Sequence, residues 1–167
     1  DATTVTVDPR RNPQQDLNLP EAIAYAKELG LGVIVYVNHR ALERQLDTLL
    51  PLYKTWGIDG IKFGFVHVGS HRWTTWLHQA IAKCADFELI VNVHDEYRPT
   101  GFSRTYPNFL TMEGIRGNEE MPDATHNTVL PFTRFVAGPA DYTICYYSPR
   151  IRTTHAHQLA LSVIYFS

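Results

Sequence analysis

Phe87-Glu88-Leu89-Ile90-Val91-Asn92-Val93 runs straight into His94-Asp95-Glu96-Tyr97-Arg98-Pro99. The first seven residues read as a strand buried on both faces, a near-continuous apolar run. Three ionisable residues follow, then a basic residue and a proline stop. Carboxylates at the mouth of such a strand ride on a rigid element at the edge of a core, where parallel α/β folds place their chemistry. Taken alone, Asp95 and Glu96 are equally well read as solvated loop residues. Their surroundings have to decide.

Upstream, strand-like and helix-like segments alternate. Leu19 to Leu29 has Pro20 in its first turn, Glu21 after it and an apolar stripe of Ala22, Ile23, Ala26 and Leu29, with Gly30 at the C-terminal cap. Gly32 to Val37 reads as a buried strand ending in Asn38-His39-Arg40. Ala41 to Trp56 is a second helix, with Leu42, Leu46, Leu49, Leu50 and Tyr53 at helical spacing. Pro51 is expected to kink or split it and Gly57 to close it. Gly60 to Val66 is a third apolar strand, and Trp73, Trp76, Leu77, Ala80, Ile81 and Cys84 mark a third helix. Trp73 and Trp76 share a helical register with Leu77 and Ile81, which favours packing over a sugar platform. Before all of these, Thr3-Thr4-Val5-Thr6-Val7 is a short β-branched run closed by Asp8-Pro9.

Short strands alternating with helices across short connections predict βα units around a parallel sheet, with right-handed crossovers. Gly64 and Gly69 stand without a GxGxxG pattern, which disfavours a dinucleotide-binding sheet. After Arg98, residues Pro99 to Asp141 are rich in Pro, Gly, Thr and Asn. Strands are expected there at Phe109–Met112, Thr128–Leu130 and Tyr142–Cys145, giving about six or seven in all against the eight of a closed barrel.

The 167 residues suffice for one domain, with 44% hydrophobic and 19% charged residues as in ordinary globular chains. A net charge of −2 supplies no basic field for nucleic acid, and no apolar run is long enough for a membrane span. Cys84 and Cys145 lie far apart without metal-ligand spacing and read as buried thiols. The chain does not begin with Met, has no signal-peptide pattern, and ends in the uncapped apolar segment Gln158 to Ser167. Both ends are expected to be the inside of something longer.

Three acidic clusters matter among the 17 acidic residues: Asp95-Glu96, Glu113 and Glu119-Glu120. Arg98, Arg104 and Arg116 could hold these carboxylates ionised or bind hydroxyls. Cleaving a glycosidic bond needs two carboxyl groups, one protonated to help the leaving oxygen and one ionised to activate water or attack carbon. Carboxylates are also hard ligands suited to Ca²⁺. The simpler reading pairs Glu113, Glu119 and Glu120 with Arg116 as loop ion pairs.

Five further stretches accompany His94-Asp95-Glu96-Tyr97-Arg98-Pro99-Thr100-Gly101. They are Gly60-Ile61-Lys62-Phe63-Gly64-Phe65, Arg104-Thr105-Tyr106-Pro107-Asn108, Glu113-Gly114-Ile115-Arg116-Gly117-Asn118-Glu119, Leu130-Pro131-Phe132-Thr133-Arg134 and Gly138-Pro139-Ala140-Asp141-Tyr142-Thr143. Together they resemble the catalytic barrel of glycoside hydrolase family 97 over nearly the whole chain. The resemblance implies a (β/α)8 TIM-type barrel of the α/β class, incomplete at both ends here, so that residues 1–167 form one partial catalytic domain. A β-sandwich that precedes the barrel and a smaller β-domain that follows it in the family are absent. The family's enzymes are bacterial, calcium-dependent α-glucosidases and α-galactosidases. The expected partner is therefore an oligosaccharide or glycoside, and the expected compartment periplasmic or extracellular.

By resemblance, Glu119 in Arg-Gly-x-Glu matches the general acid and Glu113 a calcium ligand. Asp95 matches the place where inverting members carry a glutamate base that also binds calcium. A Ca²⁺ ion beside Asp95 would keep it ionised, while a less solvated Glu119 could stay protonated. The candidate substrate-binding residues are Lys62, His94, Glu96 and His126. Lys62 is expensive to bury unpaired and is read either as a substrate or carboxylate partner or as a structural pair. His94 either bonds a hydroxyl or caps the strand, and His126, before an expected strand, either of these.

Two departures bear on the chemistry. Retaining members carry an aspartate nucleophile where this chain has Gly64, and inverting members a second glutamate where it has Asn38-His39-Arg40. Either Asp95, with Glu96, carries the basic role alone, or the chain is a non-catalytic carbohydrate-binding pseudoenzyme. A third reading is a fragment that needs its absent domains to work.

Overall fold

The computed structural model describes residues 18–144 and 146–166. The Thr3–Val7 run and Cys145 lie outside the described residues.

Helix α1 (Leu19–Glu28) starts where Asn18 accepts a hydrogen bond from the Glu21 amide, with Pro20 inside the first turn. Strand β1 (Ile34–Asn38) ends at an asparagine whose side chain caps the next helix, α2 (His39–Trp56), by accepting from Arg40 N. The helix therefore begins at His39, inside the expected strand end. It runs unbroken through Pro51 and stops at Gly57, which takes the left-handed φ of 78° that favours glycine. Strand β2 (Gly60–Gly64), helix α3 (His71–Asp86, capped by Ser70) and strand β3 (Ile90–Val93) follow. Phe87 to Leu89 is not strand. Phe87 caps α3, and Glu88 at φ 54° turns the chain toward the sheet.

The four strands, completed by β4 (Phe109–Met112), form one parallel sheet in chain order β1-β2-β3-β4. This is the expected βα architecture, and among the described residues there are four strands where six or seven were counted along the whole chain, one of those counted lying in the Thr3–Val7 run. Thr128–Leu130 is not strand but the end of helix α4 (Ala124–Val129) and the start of a 3-10 turn. Asp123 caps that helix by accepting from His126 N, which outweighs the β preference of Thr128 and Val129. Just before Tyr142, Asp141 N bonds Met112 O at the end of β4 at 2.9 Å, and Tyr142 to Ile144 forms no strand.

Period-2 alternation sorts the sheet into two faces. Val37, Ile61, Phe63, Val91 and Val93 meet Leu42, Leu46, Leu49 and Leu50 of α2 and Leu77, Ala80, Ile81 and Cys84 of α3 in the main core. Tyr36, Lys62, Asn92 and Thr111 lie in register across the four strands on the other face. In that row Lys62 and Asn92 both donate to the Asp141 carboxylate. β1 was expected to be buried, but Ile34 and Tyr36 are half exposed along its edge. Between Val91 and Asn92 the β3–β4 pairing slips: Val91 faces Phe109 and Asn92 faces Thr111, leaving Leu110 as an extra, exposed residue.

Past β4 the chain winds through short turns, α4 and α5 (His155–Ile164) around a second core of Leu130, Phe135, Ala140, Tyr142, Leu161 and Tyr165. Buried Cys84 has its thiol pushed up to about 12 by burial, as suits an inert core thiol. No helix among the described residues is long and apolar enough to cross a membrane.

Candidate active site

One step beyond the polar row, Asn38 and Gly64 pair, His94 N bonds Phe63 O, and Glu113 N bonds Val93 O. The C-terminal ends of the strands thus present Gly64, His94 and Glu113 on the same face as Lys62 and Asn92. Parallel α/β folds bind ligands at this end of the strands.

Asp95 follows in the left-handed region at φ 65°, a conformation Asp tolerates better than most residues. It is held from both sides. Its amide donates to Glu113 Oε2 at 2.8 Å, and its carbonyl accepts from Gly114 N at 2.8 Å. Tyr97 then turns into the core, where its hydroxyl lies 2.7 Å from His78 Nε2 and 3.1 Å from Thr100 Oγ1. The loop after β3 is thereby pinned to the loop after β4.

A cleft of about 560 Å³ opens there, lined by six carboxylates: Asp95, Glu96, Glu113, Glu119, Glu120 and Asp141. Arg98, Arg116 and His94 also line it. Acid outnumbers base, so the cleft favours a cation or a transition state with developing positive charge. His94 Nε2 lies 3.6 Å from Glu113 Oε1. Its buried Nδ1 lies 2.8 Å from Asp95 Oδ1 but off the line of a hydrogen bond, so it is left without one. One ligand atom from each of His94, Asp95 and Glu113 falls within 4.8 Å of the others.

Lys62 stands behind the cleft rather than in it. Its Nζ lies 2.6 Å from Asp141 Oδ2 and 3.3 Å from Glu113 Oε1, and Asn92 Nδ2 donates to the same Asp141 oxygen at 2.8 Å. Burial would lower Lys62, but the bonds and charges of Asp141 and Glu113 outweigh it and hold the amine above its ordinary value. Burial would likewise raise Asp141, but Lys62 and Asn92 hold its carboxyl below the usual range. Burial and the charges of Asp95, Glu113 and Glu119 push the Tyr36 phenol up, against the opposing charge of Lys62.

Glu119 reaches the cleft from the 3-10 turn Asn118–Glu120. Neighbouring Asn118 is buried, exchanges hydrogen bonds with buried Gln158, and donates its backbone amide to Tyr142 O at 3.1 Å. That anchor fixes Glu119 from the second core. Glu119 is itself exposed, so the expected desolvation is not found; only the residue before it is buried. Arg116 donates to the Glu120 carbonyl oxygen, while the ion pair of Glu113 is with Lys62. The reading of these acids as partners of Arg116 therefore fails for Glu113.

Of the residues singled out in the sequence, Asp95, Glu96, Glu113, Glu119 and His94 converge on the cleft. Lys62 supports it from behind. His126 does not line it: it lies in α4, with Nε2 3.1 Å from Arg116 O, and buttresses the loop. Trp76 packs on Phe63 and the main core as expected, whereas Trp73 lies against His67. Sequence reasoning missed Asp141, Asn92, Tyr36 and Arg134. The Arg134 guanidinium donates to the carbonyls of Glu113, Gly114, Gly138 and Pro139 at 2.8–3.0 Å, tying the Glu113 loop to the segment before Asp141. The cost of burying Lys62 was the one available signal, since it requires an acid such as Asp141 nearby.

The chain is similar to known proteins in sequence and in fold. The family model described as glycoside hydrolase 97 matches residues 4–115. A retaining α-galactosidase of Bacteroides thetaiotaomicron is 31% identical over 92% of this chain and 26% of its own length. A probable retaining α-galactosidase of Streptomyces bingchenggensis is 36% identical over 89% of this chain and 24% of its own. The chain thus spans about a quarter of the curated relatives it matches. A family 97 enzyme from Pseudoalteromonas sp. strain K8, solved with panose, superposes with a TM-score of 0.78 at 26% identity, over 92% of this chain and 29% of that one. By the family model that matches residues 4–115, and with a fold that agrees, the chain belongs to glycoside hydrolase family 97.

Proposed function

We propose that this chain is the acid-bearing part of a (β/α)8 barrel that hydrolyses terminal α-glycosidic bonds of an α-glucoside or α-galactoside. Flanking β-domains and the remaining barrel strands would come from the rest of a secreted or periplasmic polypeptide. The observation that carries this reading is the convergence of Asp95 and Glu119 on one carboxylate-lined cleft at the ends of β3 and β4. The relatives named α-galactosidases and the panose complex of the Pseudoalteromonas enzyme point to the same substrate class.

In this mechanism Glu119, an exposed residue of the cleft lining, protonates the departing glycosidic oxygen. Asp95, fixed through its own backbone to Glu113 and Gly114, acts as the base that takes a proton from water. Lys62 and Asp141 keep Glu113 in place and orient the cleft wall, and Arg98 and Arg116 bind hydroxyls. The donor set fits Ca²⁺: Asp95 and Glu113 offer convergent hard oxygens, and Glu96, Glu119 and Glu120 lie on the same cleft. Bound there, calcium would polarise a sugar hydroxyl or water.

Gly64 supports a second reading, a carbohydrate-binding protein without hydrolysis, because no side chain stands at the position of the retaining nucleophile. Hydrolysis of nitrophenyl α-glucoside and α-galactoside by the full-length protein separates the two. Turnover that falls at least about 10³-fold in Asp95→Asn and in Glu119→Gln supports the catalytic reading. Sugar binding without any turnover supports the second, and turnover unchanged in both variants overturns the site assignment.

A further inference from the structure

A second group of ligand-type side chains lies outside the carboxylate cleft. His39 opens α2, and Glu43 follows one turn later on the same helix face, with His39 Nδ1 and Glu43 Oε1 2.7 Å apart. His67 comes from the loop after β2. Its ring meets that of His39 at a centroid distance of 4.4 Å and an interplanar angle of 74°. One donor atom from each of the three falls within 4.8 Å of the others. We propose that His39, Glu43 and His67 form a binding site for a divalent transition-metal ion of the zinc type.

The donor set selects the ion. Two imidazoles and one carboxylate suit Zn²⁺ and its neighbours, whereas Ca²⁺ takes oxygen ligands. Zinc–ligand bonds of about 2.0–2.2 Å require only that the His39–Glu43 contact open slightly and His67 move inward. His67 sits on a prepared wall. Its ring packs against Trp73 at 4.7 Å, Trp73 meets Trp76 edge-on at 6.5 Å, and Trp76 rests on the core. The Arg72 guanidinium covers Trp73 from outside at 4.7 Å. Glu43 and His67 are exposed, which leaves a coordination position open to water. His39 and His67 also line a cleft shared with Asp95 and Glu96. The ion would staple the start of α2 to the β2–α3 loop beside the catalytic wall.

The test uses the full-length protein, stripped with chelator, returned to excess calcium and then titrated with Zn²⁺ alone. One zinc ion per chain is expected at micromolar concentration, with affinity lower by at least about tenfold in His39→Ala and His67→Gln and unchanged in Glu113→Gln. Co²⁺ should give the visible bands of a four-coordinate ion in the wild type and lose them in His67→Gln. His67 is exposed on a loop, so that variant decides the matter even if His39→Ala fails to fold. No zinc uptake by the wild type overturns the site. So does uptake that survives both histidine variants, or uptake lost only in Glu113→Gln, which assigns the ion to the carboxylate cleft.

Discussion

A β-carbon placed on Gly64 would lie 2.1 Å from Cζ and 2.2 Å from the hydroxyl oxygen of Tyr36. The phenol ring therefore fills the space in front of β2 that a side chain at position 64 would enter. The glycine and the tyrosine form one unit, and neither can be understood without the other. The ring is the far end of a half-exposed side chain, so it can be driven out at moderate cost.

Gly64→Asp should therefore destabilise the fold by about 1–3 kcal/mol through overpacking. Adding Tyr36→Ala should recover most of that loss. Urea unfolding of the two single variants and the double variant measures the coupling. Additive effects would mean that the ring is not the obstacle.

Asp141→Asn leaves Lys62 with Glu113 alone, at 3.3 Å, and should cost about 1–3 kcal/mol. The pair also predicts a pH window. Asp141 is held below its ordinary value, so its contribution is full above that value and disappears as pH falls through the depressed one. Lys62 is held above its ordinary value, so its contribution disappears only as pH rises through the raised one. Thermal unfolding against pH should show a shallower acid limb in Asp141→Asn than in the wild type.

Gly114 takes φ 53°, and an added β-carbon would lie 2.4 Å from the Tyr97 carbonyl oxygen, a backbone atom that cannot swing aside. Gly114→Ala should cost at least about 1–3 kcal/mol. It should also lower turnover, because Gly114 N holds the Asp95 carbonyl. Full turnover with normal unfolding would refute the role given to this contact.

Arg134→Lys retains the charge but cannot reach four carbonyls with one ammonium group. A loss of about 2 kcal/mol is expected from the stranded acceptors. The readout is the denaturation midpoint, with Arg134→Gln expected to be at least as damaging.

Calcium removal should lower both the unfolding midpoint and turnover of the full-length protein, and added calcium should restore them. The calcium-dependent shift in midpoint should vanish in Glu113→Gln. A shift that persists in that variant would place the ion elsewhere.

The parallel sheet and its helices were legible because alternation and helical spacing are local properties. Leu42, Leu46, Leu49 and Leu50 mark a helix face whatever they pack against. The region after β4 was less legible. Thr128-Val129-Leu130 has strand composition, and only the cap at Asp123, bonded three residues on, turns it into helix. Asp95, Glu113 and Glu119 could be grouped because each lies in a motif resembling a known family. Asp141 could not be assigned a role, since its partner Lys62 is 79 residues away and nothing local records the pairing. Glu119 was expected to be desolvated, yet the buried member of that turn is Asn118, an uncharged residue that satisfies its bonds with Gln158.

The extra residue Leu110 in β4 has a consequence for how this enzyme family can change. A strand pairing flush with β3 would set Leu110 opposite Asn92 and bring Met112, not Glu113, to the cleft face. A carboxylate or a thioether is thus selected by whether the count of residues is odd or even. A single-codon insertion or deletion between Thr111 and Glu113 could leave a foldable sheet while exchanging an acid for an inert side chain. In this lineage, chemistry could be lost by a change of length that no substitution scan would sample.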